Sequence, residues 1–472
     1  MSDSTPNQLR EALADTARRR ASASPSTRLA RVRYSPGGYL VIAAVLTFAS
    51  LVCLRTQRDL AALILILATW LTMPILMFTD RLSFDGRTLS RTGLFAALIR
   101  LWRGHYEVID IDDIERIEVA TLRTLRRGGN VRYRYRIEIT GKGLNFSFAS
   151  GGKEFRKMTR SLLSRIPACK LDARACDLRD HLKANKLVRA EAARLGIAPV
   201  SVLEAVREST RKKRSNADSH VASAEEISRA QMLRESANDL RVAGCLRQSG
   251  EAFRRAFHIF GSDPWLVYEY ARLLRSQASA FSDARLLGRA CAALKLASLR
   301  GSADARLLER VGESFLEFGD PSRAARIFRY ASEIDDSAYR AQLGLAEVAL
   351  GEGKLAHVIH HYNEAARIAP DKASVRLARR EADYYARLNN DENYLAAELR
   401  RMNWLDGAGR VQHLAGRVTF GFLLIALIGP SLDQVVGGLG WALATSSIMA
   451  WSGSLIIRKV LAGRSRPQVT DA

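Results

Sequence analysis

Three glutamates recur at a fixed interval in this 472-residue chain: Glu313, Glu347 and Glu381, each 34 residues from the next. Equal spacing puts a carboxylate at the same place in three successive units, which suits recognition of a polar or basic partner segment. Arg306 and Arg340 form a shorter ladder in the same segments, and Tyr268, Tyr270 and Tyr384 are candidates for aromatic contact. Two readings stay open. Either the glutamates line a binding groove, or each is neutralised by an arginine of a neighbouring unit.

Other reactive groups are poorly placed for catalysis. His357, His360, His361 and Glu364 have helical spacing and metal-binding potential, but they fall on the second helix of a repeat, where such residues pack or face water. Asp110, Asp112 and Asp113 begin a strand-like segment and read as a solvated edge. Ser150–Glu154, SGGKE, has Ser147 where a phosphate loop needs its first glycine and Glu154 where it needs Ser or Thr. No nucleophile and base pair can be nominated. The expectation is a protein that is not an enzyme, with no catalytic residue, metal site or cofactor. Its five cysteines are scattered, which fits a reducing compartment without disulfides.

The interval extends beyond the glutamates. Placing Ala305–Ala338 over Tyr339–Lys372 aligns Val311 with Leu345, Gly312 with Ala346, Phe315 with Ala349, Gly319 with Gly353, Phe328 with Tyr362 and Ala331 with Ala365. Small residues permit close helix crossing, large apolar ones fill between helices, and the glycine ends the first helix of each pair. This resembles the tetratricopeptide repeat family, and the resemblance implies a curved stack of helix pairs that binds a protein partner. Ala373–Asp406 keeps the period as a cap, and upstream units begin near Leu233 and Val267, so the solenoid is expected over 227–406.

Apolar segments flank the middle of the chain. Leu60–Phe78 has nineteen residues without a charge, about 28 Å as a helix. Gly37–Leu54 precedes it across a five-residue link, Val435–Ile457 is uncharged, and the segment around Leu414–Pro430 is interrupted by Arg417. Arginines before Gly37 and after Phe78, and basic residues before Leu414 and after Ile457, place both ends of each hairpin in the cytoplasm. Arg55 and Arg58 oppose this arrangement but are outnumbered. Expected are a basic tail (1–36), a transmembrane hairpin (37–78), a second hairpin (411–457) and a basic tail (458–472). No cleavable signal is expected at the N-terminus.

Between the first hairpin and the repeat, 79–185 reads as strands closed by a helix. Asp85-Gly86 marks a hairpin, Ile109–Val119 is β-branched, and Val131–Thr140 alternates Val131, Tyr133, Tyr135 and Ile137 with Arg132, Arg134, Arg136 and Glu138. Phe155, Met158, Leu162 and Leu163 are spaced to cover a sheet. This order resembles bacterial pleckstrin-homology-like membrane domains, which implies a small β platform for interaction. With a net charge of +23, anionic lipid is an expected partner, contacted by Arg132, Arg134 and Arg136 and by Arg123, Arg126 and Arg127 just before them.

The stretch 186–226 has linker composition. Within it, Arg189–Arg214 has helix-turn-helix character and ends in RKKR. The alternative function is therefore a membrane-tethered nucleic-acid-binding regulator. The leading expectation is a multidomain protein of the bacterial inner membrane: two transmembrane hairpins, a PH-like β domain and an all-α solenoid acting as a scaffold for complex assembly, with nucleic acid disfavoured as a partner.

Overall fold

A computed structural model describes residues 30–34, 37–103, 107–125, 130–199, 223–429 and 433–461. It is mostly helical, with one β region. The described residues form two compact units, one of 30–34, 79–199 and 235–249, the other of 37–78, 223–234 and 250–461.

The first unit contains two antiparallel sheets. Strands β1 (Ala30–Arg33), β2 (Arg81–Phe84), β3 (Thr88–Thr92) and β4 (Val108–Asp110) form one in sequential order, and β5 (Ile114–Leu125), β6 (Val131–Gly141) and β7 (Leu144–Ala149) form the other. Helix α3 (Leu94–Arg103) interrupts the path from β3 to β4, and α4 (Gly152–Leu163) follows β7. Phe155, Met158, Leu162 and Leu163 of α4 are buried against Leu82, Phe84, Ile109, Ile137 and Phe148. That is the sheet-covering face expected from its spacing. Two short helices, α5 (Ala173–His181) and α6 (Asn185–Arg194), complete this segment. Helix α6 supplies the first part of the helix-turn-helix segment, while 200–222, with the rest of it and RKKR, lies outside the described residues.

Strand β1 corrects the expected boundary of the N-terminal tail. Ala30–Arg33 precedes the first apolar helix yet pairs with β2, which follows the second, in the register Arg33↔Arg81 to Ala30↔Phe84. The Tyr34 amide adds a bond to the Asp80 carbonyl at 3.2 Å. Below this junction Arg91 meets the buried Asp80 carboxylate at 2.7 and 3.0 Å, and its guanidinium stacks over Tyr34 and Phe95 at 4.2 and 4.6 Å.

In the second unit, α1 (Gly37–Arg55) and α2 (Asp59–Thr79) form an apolar hairpin, with the Ser50 hydroxyl donating to the Ala62 carbonyl at 3.3 Å. Helix pairs follow in the order α9 (Pro264–Phe281) with α10 (Ala284–Arg300), α11 (Ala305–Glu317) with α12 (Pro321–Ile334), α13 (Tyr339–Gly351) with α14 (Leu355–Ile368), and α15 (Lys372–Asn390) with α16 (Glu392–Ile428). The helix starts at Ala305 and Tyr339, and at Pro321 and Leu355, differ by 34 residues, the interval read from the sequence. Gly319 and Gly353, with φ of 80° and 73°, end the first helix of each pair.

Two expected boundaries move. The earliest repeat, α7 (Ala224–Val242) with α8 (Leu246–Phe260), is divided: 235–249 belongs to the β-containing unit. At the other end no break separates the repeat from the second apolar hairpin, because α16 runs unbroken for 37 residues and then pairs with α17 (Gln434–Leu461). Three described helices are long and apolar enough to cross a membrane: Gly38–Arg55, Asp59–Thr79 and Gln434–Arg458. The fourth expected span, Leu414–Ile428, is the last part of α16 and is not among them.

Packing in the repeat turns on Phe328, fully buried on α12. A Cβ on Gly312 would stand 2.5 Å from its ring, and one on Gly344 2.4 Å from the other side. The ring is thus clamped between first helices of successive pairs. Gly312→Ala and Gly344→Ala are each expected to destabilise by about 1–3 kcal/mol through overpacking, despite the roughly 1 kcal/mol that Ala otherwise contributes to a helix. Thermal unfolding of the purified full chain measures this, and unchanged midpoints would show that the ring is not clamped.

Candidate functional site

The polar cluster on α11 and α13 contains the first rung of the glutamate ladder. Arg340 on α13 donates through Nε to Glu313 Oε1 at 2.6 Å and makes a second, shorter contact through Nη2. Arg310, one turn before Glu313, donates to its other oxygen at 3.4 Å. Glu313 is therefore neutralised across the repeat boundary. Glu309 lies one turn away on the same helix, and burial pushes its carboxyl up to about 7; nearby Arg340 opposes the rise and Glu313 adds to it.

The remaining rungs have different surroundings. Glu347 is exposed on α13, whereas Glu381 is half-buried on α15 with Arg380 at 3.8 Å. Arg306 is exposed on α11 while Arg340 is mostly buried. Equal sequence spacing thus does not produce equal environments. A carboxylate's accessibility depends on which neighbouring arginine reaches it.

The tyrosines correct a sequence expectation. Tyr268 is 4% exposed and packs edge-on to Trp265, while Tyr384 is 8% exposed and donates its hydroxyl to Glu398 at 2.7 Å. Tyr270 is half-buried against Phe253 and Phe257. They hold helices together rather than presenting groove surface. The sequence assigned these rings to contact with a partner, whereas the groups they touch lie within the protein.

His361 Nδ1 donates to Gln342 Oε1 at 3.0 Å, joining α14 to α13, and burial pushes its pKa down to about 4, with His360 and His357 adding to the shift. It is neutral at pH 7. Among the described residues no cluster of histidine, cysteine, aspartate or glutamate is arranged to hold a metal.

The arginine strand divides by face. Arg132, Arg134 and Arg136 are exposed on β6 and pair in register with Thr124, Leu122 and Ala120 of β5, so these residues share one face. Arg123 is opposite Tyr133 and belongs to the other face. It cannot join the other three on one platform, because adjacent strand positions point to opposite sides. Arg136 is also engaged by Glu138 at 3.0 Å. Arg126 and Arg127 lie outside the described residues.

One polar network was not legible in the sequence. Arg241 forms a two-pronged pair with Asp177 at 2.9 and 3.0 Å, while the buried Asp239 meets His181 at 3.1 Å and Lys183 at 2.7 Å. The Tyr135 hydroxyl donates to the Val242 carbonyl, and the Val131 amide to that of Gly244. The end of α7 is thereby built into the β-containing unit. Its residues carry no local motif, since each partner lies tens of residues away.

No protein-family model matches the chain, and none of the curated proteins compared with it does. Among solved structures, a crystal structure of MamA protein aligns at 12% identity and a TM-score of 0.27, covering 52% of this chain and 100% of that one. A de novo designed 16-helix transmembrane nanopore aligns at 15% identity and a TM-score of 0.12, covering 59% and 95% respectively. Both scores are too low to bear on fold or function.

The Glu309 environment has a measurable consequence. In the unfolded chain its carboxyl loses its proton near 4.5, whereas in the folded chain it holds it to about 7. Across that window the folded state binds more protons, so this group makes stability fall as pH rises and level off above 7. Glu309→Gln is expected to flatten the decline and raise stability at pH 8, measured by unfolding of the full chain at pH 5 and 8. A decline as steep as in the parent would assign it to another group.

Proposed function

We propose that the protein is a membrane-anchored cytoplasmic scaffold, with two transmembrane hairpins, a pleckstrin-homology-like β module and a tetratricopeptide-like solenoid that gathers protein partners at the bacterial inner membrane. The observation that carries this reading is the pairing of β1 with β2. Residues before and after the first apolar hairpin are neighbouring strands of one sheet, so a bilayer crossed by α1 has to be recrossed by α2.

The second hairpin supports the same topology. Arg401 on α16 donates to the carbonyl of Leu461 at 2.6 Å, and Arg458 contacts Gln412, so the end of α17 returns beside the 401–412 stretch of α16. From Gln412 to Ile428 α16 covers about 25 Å, close to a hydrocarbon thickness. Arg417 lies five residues past Gln412, near enough to the end of that stretch for its charged end to reach the headgroups.

Arg55, one of the two charges opposing the inferred orientation, sits over the Trp441 ring at 5.8 Å. The turn of the first hairpin therefore meets the beginning of α17, which puts both hairpin tips at the same end of the unit. A cation on tryptophan is suited to a membrane interface. Along α2, Leu60, Leu63, Ile64, Leu67, Trp70 and Leu71 are more than half exposed. So broad an apolar face requires a nonaqueous neighbour.

The two sheets of four and three strands closed by α4 support the platform assignment, and the regular helix pairs support protein binding. This reading assigns no catalytic step and no cofactor. Reporter fusions after Arg81 and Arg410 are expected to be active only with cytoplasmic reporters. A periplasmic signal at either position would overturn the two-hairpin arrangement.

A further inference from the structure

We propose that α3, Leu94–Arg103, is an interfacial helix lying in the headgroup layer, with Leu94, Leu98 and Leu101 entering the boundary of the lipid chains. The inference rests on the membrane reading above and adds a contact surface to it. Leu94, Leu98 and Leu101 are 48%, 57% and 87% exposed. With exposed Ala97 they occupy positions i, i+4, i+7 and i+3, forming one apolar stripe.

The path of the chain identifies lipid as the occupant. Gly93, immediately before α3, approaches the end of α2 so closely that a Cβ there would stand 2.5 Å from the Thr79 carbonyl oxygen. Thr79 is the last residue of the strongest membrane span. The helix therefore starts at the depth where that span leaves the bilayer. Its first turn is held there by Phe95 stacked on Arg91, whose other bonds reach Asp80.

The excursion closes where it opened, since the Arg91 amide donates to the Glu107 carbonyl at 3.3 Å. Helix α3 is thus an inserted element between two paired strands, and the sheet does not need it to continue. Arg100 is exposed beside the leucines, and Arg103 ends the helix. Short amphipathic helices with basic residues and leucines bind at such interfaces, with anionic headgroups favouring the charges.

Depth measurements on the full chain in vesicles containing phosphatidylethanolamine and phosphatidylglycerol test this. A genetically encoded ketone amino acid, replacing Leu67, Leu98, Leu101 or Lys153 singly, accepts a nitroxide without using the native cysteines. The label at 67 is expected to be accessible to oxygen and shielded from a water-soluble nickel chelate, and that at 153 the reverse. Labels at 98 and 101 should favour oxygen, reversing the ratio at 153. Nickel accessibility at 98 and 101 equal to that at 153, with 67 in lipid, would overturn the interfacial helix while leaving the membrane reading intact. Shielding of 98 and 101 from both reagents would also overturn it, indicating a protein surface or a second copy of the chain. Nickel access at 67 would instead refute the membrane reading and this inference together.

Discussion

The guanidinium of Arg91 reaches the buried carboxylate of Asp80 while resting between the rings of Tyr34 and Phe95. These four residues come from both sides of the first apolar hairpin and from the strand and helix beyond it. Removing one partner of a buried pair leaves an uncompensated charge, at a cost of about 3–5 kcal/mol. The pair fixes the chain at Asp80, the neighbouring β1–β2 register fixes it at Arg33, and every element between them is forced to leave and return at one place. The edge of the sheet and the position of α3 both depend on that closure.

A comparable economy governs the helical repeat. Phe328 fills the space that Gly312 and Gly344 leave on successive helices, and the Arg340–Glu313 pair crosses the same boundary. One contact is apolar and indifferent to pH. Beside the other, Glu309 is half-buried near charges of both signs, and its burial couples protonation to packing. Three equally spaced carboxylates therefore have unequal surroundings: Glu347 lies at the surface, Glu381 is half-buried beside Arg380, and Glu313 is held by Arg340.

Local periodicity made much of this architecture readable. The alternation at Val131–Thr140, the helical spacing of Phe155, Met158, Leu162 and Leu163, and the 34-residue interval all report which side of an element is buried, and each is a property of neighbouring residues. What escaped was set by distant partners. Ala30–Arg33 is too short to announce a strand until Arg81–Phe84 stands beside it. Tyr268 and Tyr384 look the same in sequence whether they face a ligand or a neighbouring helix, and Arg123 changes side through the register of its hairpin. The Arg241–Asp177 pair spans 64 residues and has no local signature. Helix α3 was missed because its apolar stripe lies within a strand-rich segment and faces outward.

Closure of the first hairpin by paired strands is most directly tested by replacing Arg33 and Arg81 together with cysteine in the full chain and oxidising native membranes. The register places these positions opposite one another, within reach of a disulfide. The account predicts a linked peptide joining positions 33 and 81, found by mass spectrometry in the double variant and absent when Arg33→Cys is combined instead with Lys153→Cys. Failure of positions 33 and 81 to link, or their labelling by impermeant reagents from opposite sides of the membrane, would contradict it.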